Sequence, residues 1–234
     1  MNKITITAIG AYWGDGTKSL SGCLEFTNSE PALIKIFMKM MKNLFSIKPN
    51  ELSYKIKIHE NSLRNRSVEN VIKRWTNNIG IKSNKIKVYV VKNRKKTNLH
   101  TRTPEKFGSM QIRCFKSNYH HKLLKIMNES IRKAFWNKEI AVPLIKGLLA
   151  ADGYVHPSRI GRIQEITIAE KSRKEKEKIR KVLKCIGISS ATKEGHGSAV
   201  VIYGYNNFKI FKSLNLFSLS PRKMKKFLLL YSHH

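Results

Sequence analysis

Three features of this 234-residue chain predict an α+β fold made of two pseudo-symmetric halves. A short motif occurs twice, a similar order of strand and helix patterns follows each copy, and the strand patterns carry one apolar and one polar face. The copies are Ile9-Gly10-Ala11-Tyr12-Trp13-Gly14-Asp15-Gly16 and Ile145-Lys146-Gly147-Leu148-Leu149-Ala150-Ala151-Asp152-Gly153. Each sets a small residue, a second small residue four positions on, then an acid and a glycine. Positions four apart share a helix face, so two such ridges let helix backbones approach closely. Glycines 16 and 153 suit left-handed caps, which would leave the preceding acids at the last turn.

If the two helices pack in parallel, Asp15 and Asp152 emerge side by side. Neighbouring carboxylates at two helix C-termini repel each other and meet the negative end of both dipoles. A hard divalent cation relieves this. Mg²⁺ takes a few carboxylate oxygens and keeps positions open for phosphate and water, as phosphodiester hydrolysis requires. A single Asp-Gly pair is an ordinary helix stop; the duplication, and the similar patterns that follow each copy, argue for more.

Lys and Arg number 46 against 15 acids, a formal net charge of +31, and the basic residues run through the whole chain. A polyanion is the expected partner, nucleic acid ahead of a ribosomal or membrane surface. No apolar run approaches a membrane span and no signal peptide opens the sequence. Cys23, Cys114 and Cys185 are widely spaced, without zinc-ligand pairing, and read as free thiols of a reducing cytoplasm.

In chain order, Ile4-Thr5-Ile6-Thr7 is β-branched, so the first helix is expected to be short and to begin near Thr5 or Thr7. Residues 21–28 alternate, with Leu24 and Phe26 on one face and Cys23, Glu25 and Thr27 on the other. Pro31 opens a helix with Leu33, Ile34, Phe37, Met38, Met41, Leu44 and Phe45 at helical spacing. Tyr54, Ile56 and Ile58 then alternate with Lys55, Lys57 and His59. A basic strand face of this kind suits a nucleic-acid groove. Val68, Val71, Ile72, Trp75 and Ile79 form an additional helix near 67–80, with Trp75 inward. Strands at 85–93 and 109–115 flank a long basic loop containing Arg94, Lys95 and Lys96, suited to phosphate contact. Gln111 and Arg113 face outward. A helix from Asn118 ends near Trp136.

That end marks the expected boundary between an N-terminal half, 1–136, and a C-terminal half, 137–234. Pro143 sits in the first turn of the second motif helix or kinks a longer one. A strand at 161–169 follows, and its Glu165-x-Thr167 falls where Glu25-x-Thr27 fell before. The helix at 171–186 has Ile179, Val182, Leu183 and Ile186 inward, and its charged run 173–178 reads as a solvated outer face. A hairpin around residues 194–197, a helix at 206–214 and a last helix at 222–231 complete the chain. His233 and His234 have no assigned role.

The repeated motif resembles that of the LAGLIDADG homing endonucleases, monomeric two-motif type and intron-encoded. Residues 144–153 match it closely; Trp13-Gly14-Asp15-Gly16 is looser but keeps the spacing. The resemblance implies two αββαββα halves forming a DNA-binding saddle with the motif helices packed at its centre. It implies site-specific cleavage of both strands of a long, asymmetric duplex target by a monomer. Asp15 and Asp152 would hold Mg²⁺, with Mn²⁺ as a substitute and Ca²⁺ binding without supporting cleavage. The carbonyls of Gly14 and Ala151 are further ligands by resemblance, and Asn28, Lys171 and Lys193 are candidate supporting residues. Outward strand residues Cys23, Glu25, Thr27, Lys55, Lys57, His59, Gln111, Arg113, Glu165 and Thr167 are expected to read the duplex, against phosphate contact or plain solvation for each. The competing reading is an intron RNA maturase, or a DNA-binding regulator of the same fold that does not cut.

Overall fold

The computed structural model describes residues 1–19, 23–63, 67–92 and 107–233. Ser21, Gly22, Arg94, Lys95, Lys96 and His234 lie outside the described residues, and with them the start of the first expected strand and the basic loop. The elements are α1 (Lys3–Asp15), β1 (Leu24–Asn28), α2 (Pro31–Phe45), β2 (Ser53–His59), α3 (Val68–Ile79), β3 (Ile86–Val91), β4 (Ser109–Cys114) and α4 (Ser117–Lys133), then α5 (Lys138–Asp152), β5 (Gly153–Pro157), β6 (Ile163–Ala169), α6 (Arg173–Cys185), β7 (Ala191–Lys193), β8 (Ala199–Ile202), α7 (Tyr205–Ser213) and α8 (Pro221–Tyr231). The class is α+β with two four-stranded sheets, as expected. No helix among the described residues is long and apolar enough to cross a membrane.

Two compact units form, one of residues 1–15 with 122–234 and the other of residues 16–121. They cut across the boundary expected near Trp136, because α1 packs along α5 and so joins the unit of the second motif.

In the first unit, α1 is buried on all sides from Thr5 to Trp13. It starts at Lys3, earlier than its β-branched sequence suggests, because Asn2 Oδ1 accepts from Thr5 N at 2.9 Å and caps the first turn. The α1–α5 contact is backbone on backbone. A Cβ on Gly10 would stand 2.0 Å from the Leu144 carbonyl oxygen, and one on Gly147 would stand 1.9 Å from that of Thr7. At the other end Gly14 meets Ala151 and Asp152. The contacts advance together along both helices, so the pair is parallel.

The left-handed caps expected at the two motif glycines do not form. Gly153 is extended, at φ −73 and ψ 144, and Gly16 is not among the glycines with positive φ. Gly153 is needed for close approach instead: a Cβ there would lie 2.5 Å from Leu149 O. The chain thus leaves α5 straight into β5, a strand the sequence reading missed. The sheet order is β5-β6-β8-β7. α6 lays Ile179, Val182 and Leu183 into the core. Lys176, expected on the solvated face, is fully buried. It shares the inward stripe, and its Nζ donates to Ser198 Oγ at 3.1 Å and pairs with Glu194, tying α6 to the β7–β8 turn. Pro143 lies inside α5, which is capped by the Asn137 side chain.

In the second unit the sheet order is β1-β4-β2-β3, with β2 and β3 parallel and the other neighbours antiparallel. Helix α3 supplies the crossover that a parallel pair requires. This is the additional helix expected near 67–80, standing between β2 and β3, while β5, β6, α6, β7, β8 and α7 follow α5 in the αββαββα order. Leu24, Phe26, Tyr54, Ile56, Ile58, Met110 and Ile112 fill the core under α2 and α3, and Trp75 is buried with its Nε1 donating to Phe107 O at 2.9 Å.

Ala ordinarily stabilises a helix by about 1 kcal/mol relative to Gly. At Gly147 the sign is expected to reverse, with Gly147→Ala costing about 3 kcal/mol because the new methyl meets backbone that cannot yield. Denaturant unfolding of the two proteins measures it, and an unchanged or raised midpoint would rule out the close helix contact.

Candidate metal and nucleic-acid site

Both motif acids belong to the first unit, at the C-terminal ends of the parallel pair α1 and α5. Gly14 decides their geometry. The Asp152 Oδ2 atom lies only 2.6 Å from where a Gly14 Cβ would stand, so the carboxylate leans into space left by the missing side chain, against the residue preceding Asp15. Asp15 and Asp152 are both half-buried. The structure thus gathers Asp15, Asp152, Gly14 and Ala151 at one helix-pair end.

The available donors are carboxylates and helix-end carbonyls, which are hard oxygen ligands. No group of three or more His, Cys, Asp or Glu among the described residues could hold a metal. Two carboxylates with carbonyls fit Mg²⁺ or Ca²⁺ better than a soft transition metal, and Mg²⁺ ordinarily uses one or two carboxylates beside substrate phosphates. The Ala151 carbonyl also accepts from Lys223 Nζ at 3.0 Å. Lys223, from α8, was not singled out by sequence, and nothing in its helical spacing marks it.

Beside this helix end the β5–β6 pair presents a polar face. Tyr154 pairs with Thr167, and His156 with Glu165. His156 Nε2 lies 2.9 Å from Thr167 Oγ1 and 4.0 Å from Glu165 Oε1. Lys226 stands 4.1 Å above the Tyr154 ring and donates to its hydroxyl at 2.9 Å. Glu165 and Thr167 are thus outward-facing, as expected, while Tyr154, His156 and Lys226 were missed. The Tyr-Val-His alternation directly after the motif is the signal that could have found the first two. Lys171 is exposed between β6 and α6, and Lys193 ends β7 with its carbonyl 3.4 Å from Lys176 Nζ.

In the second unit, antiparallel register puts Glu25 opposite Arg113 and Thr27 opposite Gln111. Lys55 lies opposite Gln111 on the other side of β4, and Lys57 opposite Ser109. These side chains share one face. Glu25 accepts from Gln111 Nε2 at 2.6 Å and from Arg113 Nε at 2.7 Å, so this carboxylate holds two donors in fixed orientation. β3 extends the face with Lys87 and Tyr89, missed by sequence; Lys55 Nζ lies 4.7 Å from the Tyr89 ring centre. Cys23 is half-buried, and burial pushes its thiol pKa up against the opposing charge of Arg113. His59 is exposed at the end of β2. Asn28 sits at the end of β1, buried, with its Oδ1 accepting from Glu30 N at 2.7 Å, a local turn contact before α2.

The family model for a LAGLIDADG-like domain matches residues 139–214. No curated protein matches the chain in sequence. Among solved structures, I-DmoI in complex with DNA and Ca is 15% identical, with 99% of this chain and 98% of that chain covered and a TM-score of 0.51. The N-terminal LAGLIDADG domain of DUF199/WhiA is 13% identical, with coverage of 92% and 82% and a TM-score of 0.53. Full-length DUF199/WhiA from Thermatoga maritima is 10% identical, with coverage of 100% and 62% and a TM-score of 0.50. The chain has the fold of these LAGLIDADG proteins.

Burial holds the His156 pKa below its ordinary 6.5; Glu165 opposes this, while Lys226 and Lys193 add to it. The unfolded imidazole therefore binds its proton more readily than the folded one. The stability that neutral His156 contributes is present above pH 6.5 and lost as pH falls through the lower folded value. His156→Gln, which cannot protonate, is expected to lose less melting temperature than wild type below that pH. Parallel pH profiles for the two proteins would contradict the assignment.

Proposed function

We propose that this protein is a site-specific DNA endonuclease that hydrolyses both strands of a long asymmetric duplex, using a divalent cation held between Asp15 and Asp152. The observation that carries the reading is the parallel glycine-mediated contact that brings two acids to one helix-pair end. A fold that served only to bind a polyanion would not need paired carboxylates in a chain of net charge +31, since each weakens attraction to phosphate.

In this reading Asp15 and Asp152 hold the cation, with the Gly14 and Ala151 carbonyls beside them, and Gly14 leaves the space in which the Asp152 carboxylate turns. A bound cation supplies activation of water at neutral pH and neutralises charge on the departing oxygen. The chain's own part is positional. The faces of β1, β2, β3 and β4 in one unit, and of β5 and β6 in the other, present Lys55, Lys57, Lys87, Arg113, Gln111, Thr167 and His156 to phosphates and base edges. The two faces differ in residues, which suits a target without strict palindromy. The likeness in fold to I-DmoI, solved with DNA and Ca, supports duplex DNA as the partner and a divalent cation as the cofactor.

The second reading is a duplex binder of the same fold without cleavage. It is favoured by the Lys223 ammonium, which already donates to the Ala151 carbonyl.

DNA spanning the joined flanks of the coding frame discriminates between them. The nuclease reading expects a double-strand break with Mg²⁺ and binding without cleavage with Ca²⁺. Asp152→Asn is expected to lower the cleavage rate by roughly a thousandfold or more while leaving affinity largely intact. Cleavage that survives substitution of both acids, or binding without cleavage under Mg²⁺, would remove the nuclease reading. Steep loss of affinity with salt is common to both and decides nothing.

A further inference from the structure

The outer side of α6 carries a recess that duplex recognition by the sheets leaves unused. Helical spacing sends Ile179, Val182 and Leu183 into the core and turns Lys174, Glu177, Lys178 and Lys181 the other way. With Arg173, and with Arg132 and Phe135 at the end of α4, these four line an open cavity of about 620 Å³. That is large enough for a ligand of nucleotide size. All of these residues belong to the first unit. In its sheet Ile166 and Ile168 face the core while Glu165 and Thr167 face away, so the recess and the polar sheet face lie on different sides of the unit.

The charge around the recess is poorly balanced. Glu177 is the one acid that lines it, and this carboxylate pairs with Arg180 at 2.9 Å, outside the cavity. Lys178 pairs with Glu175 at 2.6 Å. Among the described residues, Arg132, Arg173 and Lys174 have no carboxylate partner. Arg173 and Lys174 also stand in the first turn of α6, where the positive end of the helix dipole disfavours a cation. Lys174, Lys178 and Lys181 follow at spacings that bring like charges together on one helix face. A bound polyanion relieves both costs.

Aromatic rings stand beside these cations. Lys181 Nζ lies 5.6 Å from the Phe135 ring centre, and Trp136 meets Phe135 edge-on at 6.1 Å. Trp136 is 73% exposed, whereas Trp13 and Trp75 are 1% exposed. An indole held in water next to a basic recess is a platform for an unstacked base, which an intact duplex does not offer. We propose that this recess is a second nucleic-acid site, for an unpaired strand. A base stacks on Trp136, and the neighbouring phosphates meet Arg132, Arg173, Lys174 and Lys181. Stacking accepts any base and the phosphates are common to RNA and DNA, so recognition is tolerant of sequence. The inference needs neither motif acid and is independent of cleavage.

The test uses the full chain and its own tryptophan emission, because Trp136 is the exposed one of three. Oligouridine and oligothymidine of about twelve nucleotides are the single-strand probes, with a blunt duplex of equal length as the control. Single strands are expected to quench the Trp136 emission and to shield it from acrylamide, while the duplex leaves it unchanged. Quenching by either single strand supports the site, and a preference between them identifies RNA or DNA as its source. Quenching by neither, or equal quenching by the duplex, overturns the proposal. Trp136→Ala is expected to weaken single-strand binding about tenfold, read by anisotropy of a labelled strand, with duplex affinity unchanged. Unchanged single-strand affinity, or equal loss for strand and duplex, overturns it as well. Replacing Arg132 and Lys174 together by Gln should lower the log–log salt slope of single-strand binding by about one, and an unchanged slope overturns the phosphate contacts and the proposal with them. The quenching measurement needs only the wild-type chain and stands if a variant does not fold.

Discussion

The structure depends on how closely two helix backbones can lie. Between α1 and α5 no side chain intervenes at Gly10 or Gly147, and the oxygens of Leu144 and Thr7 occupy the places where side chains would begin. Contact at this distance fixes register as well as separation, because a shift of one residue along either helix would bring a side chain against the other backbone. Register in turn fixes which residues end the pair. Gly14 falls against Ala151 and Asp152, so the acids arrive at the same level. The site is a consequence of packing many residues away from it.

Charge is the second constraint, and it opposes the first. Two carboxylates and two helix C-termini concentrate negative potential at one end of the pair. The chain answers from within the same unit, by extending Lys223 from α8 onto the last three carbonyls of α5 before Asp152. Elsewhere some of its acids orient basic and polar side chains. Glu25 fixes Arg113 and Gln111 on the second sheet, and Glu194 pairs with the buried Lys176. With so few acids in the chain, their placement against basic side chains limits the directions in which those side chains can point.

Much of this was legible in the sequence, for reasons that differ by element. The small-residue spacing at 10, 14, 147 and 151 is a local pattern with one strong physical meaning, and the close helix contact follows from it; its parallel direction is read from the structure. The alternation in β1, β2 and β4 gave both core and outward face, because a two-residue period leaves no ambiguity once one face is buried. The failures share a cause, which is that a tertiary contact overrode a local preference. Glycine after a helix reads as a left-handed cap, yet Gly153 is extended because the chain turns straight into β5. Four β-branched residues read as a poor helix start, yet Asn2 caps the turn and the surrounding core covers Thr5, Ile6 and Thr7. A run of six charged residues reads as solvated, yet Lys176 is buried because the β7–β8 turn offers its ammonium a carbonyl, a hydroxyl and a carboxylate.

Lys223 belongs to the same class of illegible residue, and its case shows why function is harder to read than fold. Its neighbours Arg222, Lys225 and Lys226 are equally basic, and the helix carries no pattern that sets one lysine apart. The approach of α8 to β5 brings position 223 over the end of α5. A basic chain thus conceals this placed cation among 46 Lys and Arg side chains. Acids are scarce here, so each paired acid is a strong signal; cations are abundant, so only coordinates single one out. The same asymmetry separates the acids the sequence singles out, Asp15 and Asp152, from the lysines it does not, Lys223 and Lys226.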